Sequence, residues 1–193
     1  MAVNGRVITG FSKPYVALYG ESGGTVTYTS GQILARGVSV SFDIDDATDD
    51  TKFYSDNIIA ASVRGTFGGG TVTLTVDGLF SAAEKLILGL PVENADGWTM
   101  YDDDMSIPDV GIGFVVRYMS EGVTTYVPVW LNKCKFAAPN LSANTQEEDI
   151  DWQTQELTAT VMRDDSAKHC WMQKGAGQST EAAAEAMLTA IYT

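Results

Sequence analysis

The stretch Val38-Ser-Val-Ser-Phe-Asp-Ile-Asp45 alternates between apolar and polar residues. Its apolar members are Val38, Val40, Phe42 and Ile44, and its polar members include Ser39, Ser41 and Asp43. Successive side chains of a strand point to opposite faces, so this period of two predicts a sheet with one buried and one solvated face. We expect a strand over Leu34–Asp45.

Strand patterns extend over most of the remaining chain. The predicted strands are Lys13–Tyr19, Ala61–Phe67, Gly70–Val76, Val110–Met119, Val123–Phe136 and Ile150–Arg163. On Gly70–Val76 the polar side carries Thr71, Thr73 and Thr75. The run Gly68-Gly-Gly70 predicts a tight or bulged connection, and Ser120-Glu-Gly122 has the length of a hairpin turn.

Two helices are predicted. Ser81-Ala-Ala-Glu84 fits a capping box, an apolar stripe follows it, and Gly89 ends the helix. Near the end of the chain, Ser179 or Thr180 precedes an alanine-rich helix from Glu181 to about Ile191. We expect this second helix to pack on its own sheet, with a neighbouring subunit as the alternative.

These elements predict one domain over residues 1–193. About seven or eight strands, mostly joined by hairpin-like links, favour an antiparallel β-sandwich or partial barrel with helices packed at its side. The acidic stretch after Ile44 is poor in core residues, so we expect an exposed loop over about residues 43–57. Its members include Asp45, Asp46, Asp49, Asp50, Phe53 and Tyr54.

The charge and the hydropathy restrict the class of partner. A formal net charge of −13 argues against a surface that neutralises phosphates or binds an anionic membrane. The first residues lack a signal-peptide pattern, and no apolar run approaches the roughly 20 residues of a membrane span. We expect a protein made in the cytoplasm, with Cys134 and Cys170 as free thiols.

Candidate chemistry is sparse. His169 and Cys170 are adjacent, but neighbours on a strand point to opposite faces. The acids from Asp43 to Asp50 lack the Gly and Glu positions of an EF-hand, and the run Asp102–Asp104 near Trp98 and Tyr101 favours a solvated loop. We therefore expect no catalytic site, no metal and no cofactor.

Several segments together resemble the major tail protein family, the tail tube proteins of long-tailed bacteriophages and prophages. The resemblance rests on Phe53-Tyr-Ser-Asp-Asn57, Phe67-Gly-Gly-Gly-Thr-Val-Thr-Leu-Thr-Val-Asp-Gly-Leu79, Val110-Gly-Ile-Gly-Phe-Val-Val-Arg-Tyr118, Tyr126-Val-Pro-Val-Trp-Leu-Asn-Lys-Cys-Lys-Phe136 and Asn144-Thr-Gln-Glu-Glu-Asp-Ile-Asp-Trp-Gln-Thr154. In order, they span most of the chain, from about Lys13 to Trp171.

The resemblance implies a non-catalytic virion subunit that assembles with copies of itself. Such subunits close into hexameric rings, and the rings stack into the tail tube through which DNA passes as a transient, non-specific passenger. Other expected partners are the tape measure and tail terminator proteins, with assembly in the host cytoplasm and no membrane. The acidic loop defined above becomes a candidate inter-ring loop. The candidate lumen-facing residues are Ser39, Ser41, Asp43, Thr71, Thr73 and Thr75, with an outer solvated face as the alternative.

Other functions fit parts of the sequence. A tube or ring protein of a contractile tail or a secretion system shares the expected fold. A carbohydrate-binding module is suggested by β-rich composition and four tryptophans, Trp98, Trp130, Trp152 and Trp171; Trp130 and Trp152 lie in apolar strands, which favours a core or interface role. For a hydrolase we find no nucleophile–base arrangement.

Overall fold

The computed structural model describes residues 5–46, 51–55, 58–63, 67–90, 96–103, 105–143, 145 and 153–193, with the backbone alone for residues 46, 51–55 and 58–63. The strands are β1 Val7–Ser22, β2 Thr25–Ile33, β3 Gly37–Asp46, β4 Thr51–Ser55, β5 Ile58–Val63, β6 Phe67–Val76, β7 Val110–Ser120, β8 Val123–Phe136, β9 Gln155–Met162 and β10 Met172–Lys174. The helices are α1 Ser81–Leu88 and α2 Glu181–Thr189. The chain is therefore mainly β with two helices, as the sequence predicts.

A single antiparallel sheet dominates the described residues. Its strand order is β2-β1-β7-β8-β9-β6-β3, and β10 adds to β8 beside β9. Hairpins connect β1 to β2 and β7 to β8, with Glu121 and Gly122 in the second turn at positive φ. Strands β4 and β5 form a separate two-stranded sheet.

The inner face of the sheet holds the main core. On β6 the alternation is complete: Val72, Leu74 and Val76 are buried, while the threonines between them are half-buried. Helix α1 covers this core with Ala83 and Ile87. Burial of one face of each strand accounts for the period of two in the sequence.

The sheet curls until β3 comes alongside β1. Gly37, at the start of β3, lies against the ring of Phe11, which leaves no room for a side chain at position 37. The link between β2 and β3 is fixed by the Leu34 N–H, which donates to the Pro14 carbonyl at 2.8 Å. No β-ladder joins β1 to β3 in the described part of the chain, so the curled sheet remains an open, partial barrel.

Helix α2 packs on the outer face of its own sheet, which confirms that prediction. The Thr180 hydroxyl accepts from the Ala183 N–H at 3.2 Å and begins the helix. Ala184 and Leu188 are buried against strand residues that include Trp130. These contacts form a second, smaller apolar cluster.

Carboxylates of α2 add polar contacts to β1. Glu185 accepts from the Tyr15 hydroxyl at 2.5 Å and pairs with Lys13 at 3.2 Å. Burial, followed by the hydrogen bond to Glu185, raises the pKa of Tyr15, so the phenol stays a neutral donor.

The predicted exposed loop over residues 43–57 is wrong in its described parts. Strand β3 continues through Asp46, and Thr51–Ser55 pairs with Ile58–Val63 as a hairpin. Acidic residues at the end of β3 suggest a loop by composition. On a strand with one free side, however, they can point to solvent without loss of pairing. Asp49 and Asp50 lie outside the described residues.

The glycine-rich run and the helix start also differ from prediction. Gly68, Gly69 and Gly70 lie within β6 rather than between two strands, but the register between β3 and β6 shifts at Gly68, as a bulge requires. Gly70 approaches the Asp43 carbonyl and the Phe42 ring too closely for any side chain. No capping box forms at α1, whose N-cap is Phe80 without a side-chain hydrogen bond. The Glu84 carboxylate instead accepts from the Tyr101 hydroxyl at 2.9 Å.

Strand lengths were predicted less well than strand positions. The sequence patterns missed β2 and β10, shortened β1, and included residues 153 and 154 in the β9 strand. Residues 150–152 of that predicted strand lie outside the described residues. Strand β2 is rich in threonine and has few apolar residues. As an edge strand it buries little, so its hydrophobic signal is weak.

The packing of α2 predicts a contrast between two neighbouring residues. Leu188 is 1% exposed and Met187 is 38% exposed. We expect Leu188→Ala to lower the free energy of unfolding by about 2–4 kcal/mol because it leaves a cavity over Trp130. Met187→Ala should cost less than about 1 kcal/mol. Chemical denaturation at low protein concentration measures both values, and equal effects would contradict the packing.

Candidate assembly surfaces

The six candidate lumen-facing residues lie on one face of two paired strands. Across β3 and β6 the partners are Ser39 with Thr75, Ser41 with Thr73, and Asp43 with Thr71. The Ser39 hydroxyl donates to the Thr75 hydroxyl at 2.9 Å. The structure thus brings together all the residues that the alternation predicted for this face.

The same face continues onto β9 and the end of β8. Thr71, Thr73 and Thr75 pair with Thr160, Thr158 and Glu156, and Thr160 pairs with Lys135. We call this surface the hydroxyl face: Ser39, Ser41, Asp43, Thr71, Thr73, Thr75, Lys135, Glu156, Thr158 and Thr160. Seven of its ten side chains are hydroxyls, two are acids and one is a lysine. The face is therefore polar but only weakly charged.

The sheet ends in two unpaired edges. Strands β2 and β3 are the terminal strands of the order, and within the described residues neither has a strand partner on its outer side. On β3, Val38 and Ile44 expose 56% and 50% of their surface. Such an edge offers backbone donors and acceptors, together with apolar side chains, to another strand.

A hairpin of β4 and β5 lies in the chain between β3 and β6, and we call it the hairpin arm. Strands β4 and β5 pair from Thr51 with Val63 to Ser55 with Ile58. Phe53 and Tyr54, predicted for an inter-ring loop, lie on β4. Asp45 is exposed near the end of β3, and Asp46 is its last residue. The candidate inter-ring segment is thus a strand end and a hairpin in its described parts.

Aromatic packing fixes the point where the arm rejoins the sheet. The rings of Phe67 and Trp171 stack with centroids 4.5 Å apart and planes 5° apart, and Phe42 packs beside Trp171 at 5.7 Å. The Arg163 guanidinium donates to the Phe67 carbonyl at 2.5 Å. Phe67, at the start of β6, is the point that we call the arm root. It is therefore held by the segment between β9 and β10, a role that no sequence pattern indicated.

A buried carboxylate orders that segment. Asp164 is 4% exposed. Its carboxylate accepts from the Asn132 amide at 2.7 Å and from the Ser166 hydroxyl at 2.6 Å. Burial by itself raises the pKa of Asp164, but the hydrogen bonds from Ser166 and Asn132 outweigh it and hold the pKa below its usual range.

The described residues that could act as a nucleophile or bind a metal are not arranged for either role. Cys134 is buried, and burial raises the pKa of its thiol, which disfavours the nucleophilic thiolate. His169 and Cys170 do not lie on a strand; His169 has φ 50° in a turn, and its Nδ1 lies 3.3 Å from the Asp164 carbonyl. Among the described side chains no cluster of three His, Cys, Asp or Glu residues has the arrangement of a metal site.

The tryptophans and one cleft bear on carbohydrate binding. Trp130 is buried under α2 and Trp171 is stacked at the arm root, whereas Trp98 is 69% exposed; Trp152 lies outside the described residues. A cleft of about 430 Å³ lies beside Asp77 and Glu156, and its described lining contains no aromatic side chain. These described residues offer no ring on which a sugar could stack.

Neither the protein-family models nor the curated proteins contain a match to this chain. In the described part of the chain, neither helix has the length and apolar character needed to span a bilayer. The surfaces described above are therefore the structural basis for a proposal of function.

The Asp164 network predicts a pH dependence of stability. A carboxylate whose folded pKa is lowered stabilises the fold above its unfolded pKa, near 4, and that contribution is lost as the pH falls through the folded pKa. We expect Asp164→Asn to cost about 1–3 kcal/mol at pH 7 and to flatten the rise of stability with pH in the acid range. Denaturation from pH 2 to 7 measures this, with Asp43→Asn at an exposed carboxylate of β3 as the control; parallel curves for wild type and Asp164→Asn would contradict it.

Proposed function

We propose that this protein is a tail tube subunit of a long-tailed bacteriophage or prophage. Copies of it would close into rings, most simply of six subunits, and the rings would stack into the tube through which DNA passes. The proposal combines the family resemblance of the sequence with the surfaces of the folded subunit. The observation that carries it is the pair of unpaired edges at the two ends of the sheet.

Edges of different composition favour a head-to-tail contact. Strand β2 is rich in threonine, whereas β3 exposes Val38 and Ile44. A contact between the β3 edge of one copy and the β2 edge of the next joins two different surfaces, and such heterologous contacts close into a ring when the rotation between copies allows it. Backbone pairing across the contact would also satisfy the free donors and acceptors of both strands.

The hydroxyl face is the surface that we assign to the lumen. It is polar and free of α2, which covers a different part of the sheet at Tyr15 and Trp130. Its hydroxyls offer DNA no array of cations to bind, while Asp43 and Glu156 repel phosphates weakly. Six copies would carry a formal charge of six times −13, or −78, and most of that charge lies away from this face.

The hairpin arm supplies a second contact in this proposal. A hairpin placed in the chain between two sheet strands can contact a neighbouring ring, and a segment of this kind can gain order when it binds. The arm root at Phe67 and Trp171 would then fix the direction in which the hairpin leaves the subunit. Tape measure and tail terminator proteins would meet the tube at its lumen and at its end.

Electron microscopy of the concentrated protein tests the proposal directly. We expect rings or tubes from the wild type and at least a tenfold loss of assembled protein for Ile44→Lys, because a lysine on the β3 edge opposes strand addition. Met187→Lys, on the exposed side of α2, is the control and should assemble normally. A wild type that stays monomeric at every concentration would remove the proposed function.

The lumen assignment has its own test. In the proposed tube, Asp43→Lys places six lysines in each ring against the passing DNA, and we expect normal tubes with at least a tenfold fall in DNA delivery. Glu21→Lys makes the same charge change on the exposed end of β1 and should deliver DNA normally. Tube formation by microscopy and delivery by infection are measured on the same variants; normal delivery by Asp43→Lys would remove this residue from the lumen.

A further inference from the structure

One end of the subunit carries an exposed apolar patch. At the turn between β7 and β8 and at the start of β1, Val7 is 62% exposed, Ile8 63%, Met119 39% and Val123 66%. Val7 pairs with Met119 on one face of the sheet, whereas Ile8 and Val123 point to the other face, so the four side chains surround the end of these strands. We call these four residues the tip patch. Apolar side chains exposed together at one end of a subunit mark an interaction surface more often than scattered ones do.

Two arginines flank the tip patch. Arg6 lies over the Tyr118 ring at 4.1 Å from its centroid, and the exposed Arg117 donates from Nε to the Thr9 hydroxyl at 3.2 Å. The chain has only 12 Lys and Arg residues against 25 Asp and Glu. Placement of two of these cations here makes the tip a basic region on an acidic protein, although Glu121 lies in the turn itself.

A second exposed apolar patch lies toward the other end of β7. Trp98, Met100 and Tyr101 are 69%, 55% and 57% exposed, and we call them the Trp98 patch. Its position is fixed against α1 by the hydrogen bond from Tyr101 to Glu84. The exposed acids Asp102 and Asp103 follow directly in the chain. This patch is therefore acidic where the tip patch is basic.

The two patches are separated along the strand direction. Residues 105–109 lead from the Trp98 patch into the first residue of β7, and the tip patch surrounds its last residues. At about 3.4 Å per residue, the eleven residues of β7 span roughly 37 Å. Pairing of like patches would bring like charges together, whereas pairing of unlike patches joins opposite charges.

We propose that the tip patch of one subunit binds the Trp98 patch of a second copy, so that copies join end to end along the strand direction. This inference rests on the proposed function, in which the contact joins successive rings. A heterologous contact along the strands does not close on itself and therefore extends an assembly. The apolar residues supply buried area, and the arginines and aspartates select the orientation.

Charge reversal tests the contact. The tip variant carries Arg6→Glu and Arg117→Glu, and the acid variant carries Asp102→Lys and Asp103→Lys. We expect each to form rings but at least tenfold fewer tubes than the wild type, in electron microscopy and in sedimentation of the same samples. The variant with all four substitutions restores opposite charges across the contact and should recover tubes. Recovery also shows that the altered surfaces have not unfolded the subunit.

Two further variants separate the patches from general effects. Lys168→Glu with Lys174→Glu makes the same charge change as the tip variant at exposed positions outside both patches and outside the hydroxyl face, and it should still form tubes. Trp98→Ser removes apolar area without a change of charge and should shorten tubes while rings persist. Circular dichroism checks the fold of each variant.

The outcomes distinguish this inference from the proposed function. Tubes of normal length from both reversal variants would overturn the end-to-end contact and leave the ring-forming subunit intact. Equal loss of tubes in the Lys168 and Lys174 control would assign the effect to long-range charge and would also overturn the contact. A wild type that forms neither rings nor tubes would overturn both proposals.

Discussion

The structure depends on one constraint: a single curled sheet must bury its inner face although its two terminal strands never pair with each other. The inner side chains of β6 and β9 and the helix α1 close the core, and α2 covers part of the outer face. What remains uncovered is a polar surface on β3, β6 and β9 and two free strand edges. The surfaces that suit assembly are therefore those that the core does not bury.

The sequence predicted the fold class and the hydroxyl face because both follow from a period of two. The register of Ser39, Ser41 and Asp43 opposite three threonines needs only the correct alternation on both strands. Prediction from the sequence failed where the side chains bury little surface. Strand β2 and the hairpin arm bury too little to leave a hydrophobic pattern, and the acids at the end of β3 resemble a loop by composition.

Long-range contacts were beyond any local pattern. The Phe67–Trp171 stack joins residues over a hundred positions apart, and the bond from Asn132 to Asp164 links β8 to the segment after β9. Ser81 and Glu84 form a good local motif, yet Glu84 bonds Tyr101 instead. Local sequence preferences favour such contacts, but tertiary packing determines which of them form. Charge showed a similar gap, because the sequence gives a total of −13 but not its distribution, in which the hydroxyl face carries two acids and one lysine.

The seam between β1 and β3 has a mechanical consequence. It is closed at one end by the Phe11 ring seated on Gly37, and no ladder of backbone hydrogen bonds crosses it in the described residues. Widening or narrowing the seam therefore changes only van der Waals contacts, which are individually weak. Each subunit has a built-in compliance, so a filament made of such subunits could flex under load by small adjustments of curvature while every strand pairing stays intact.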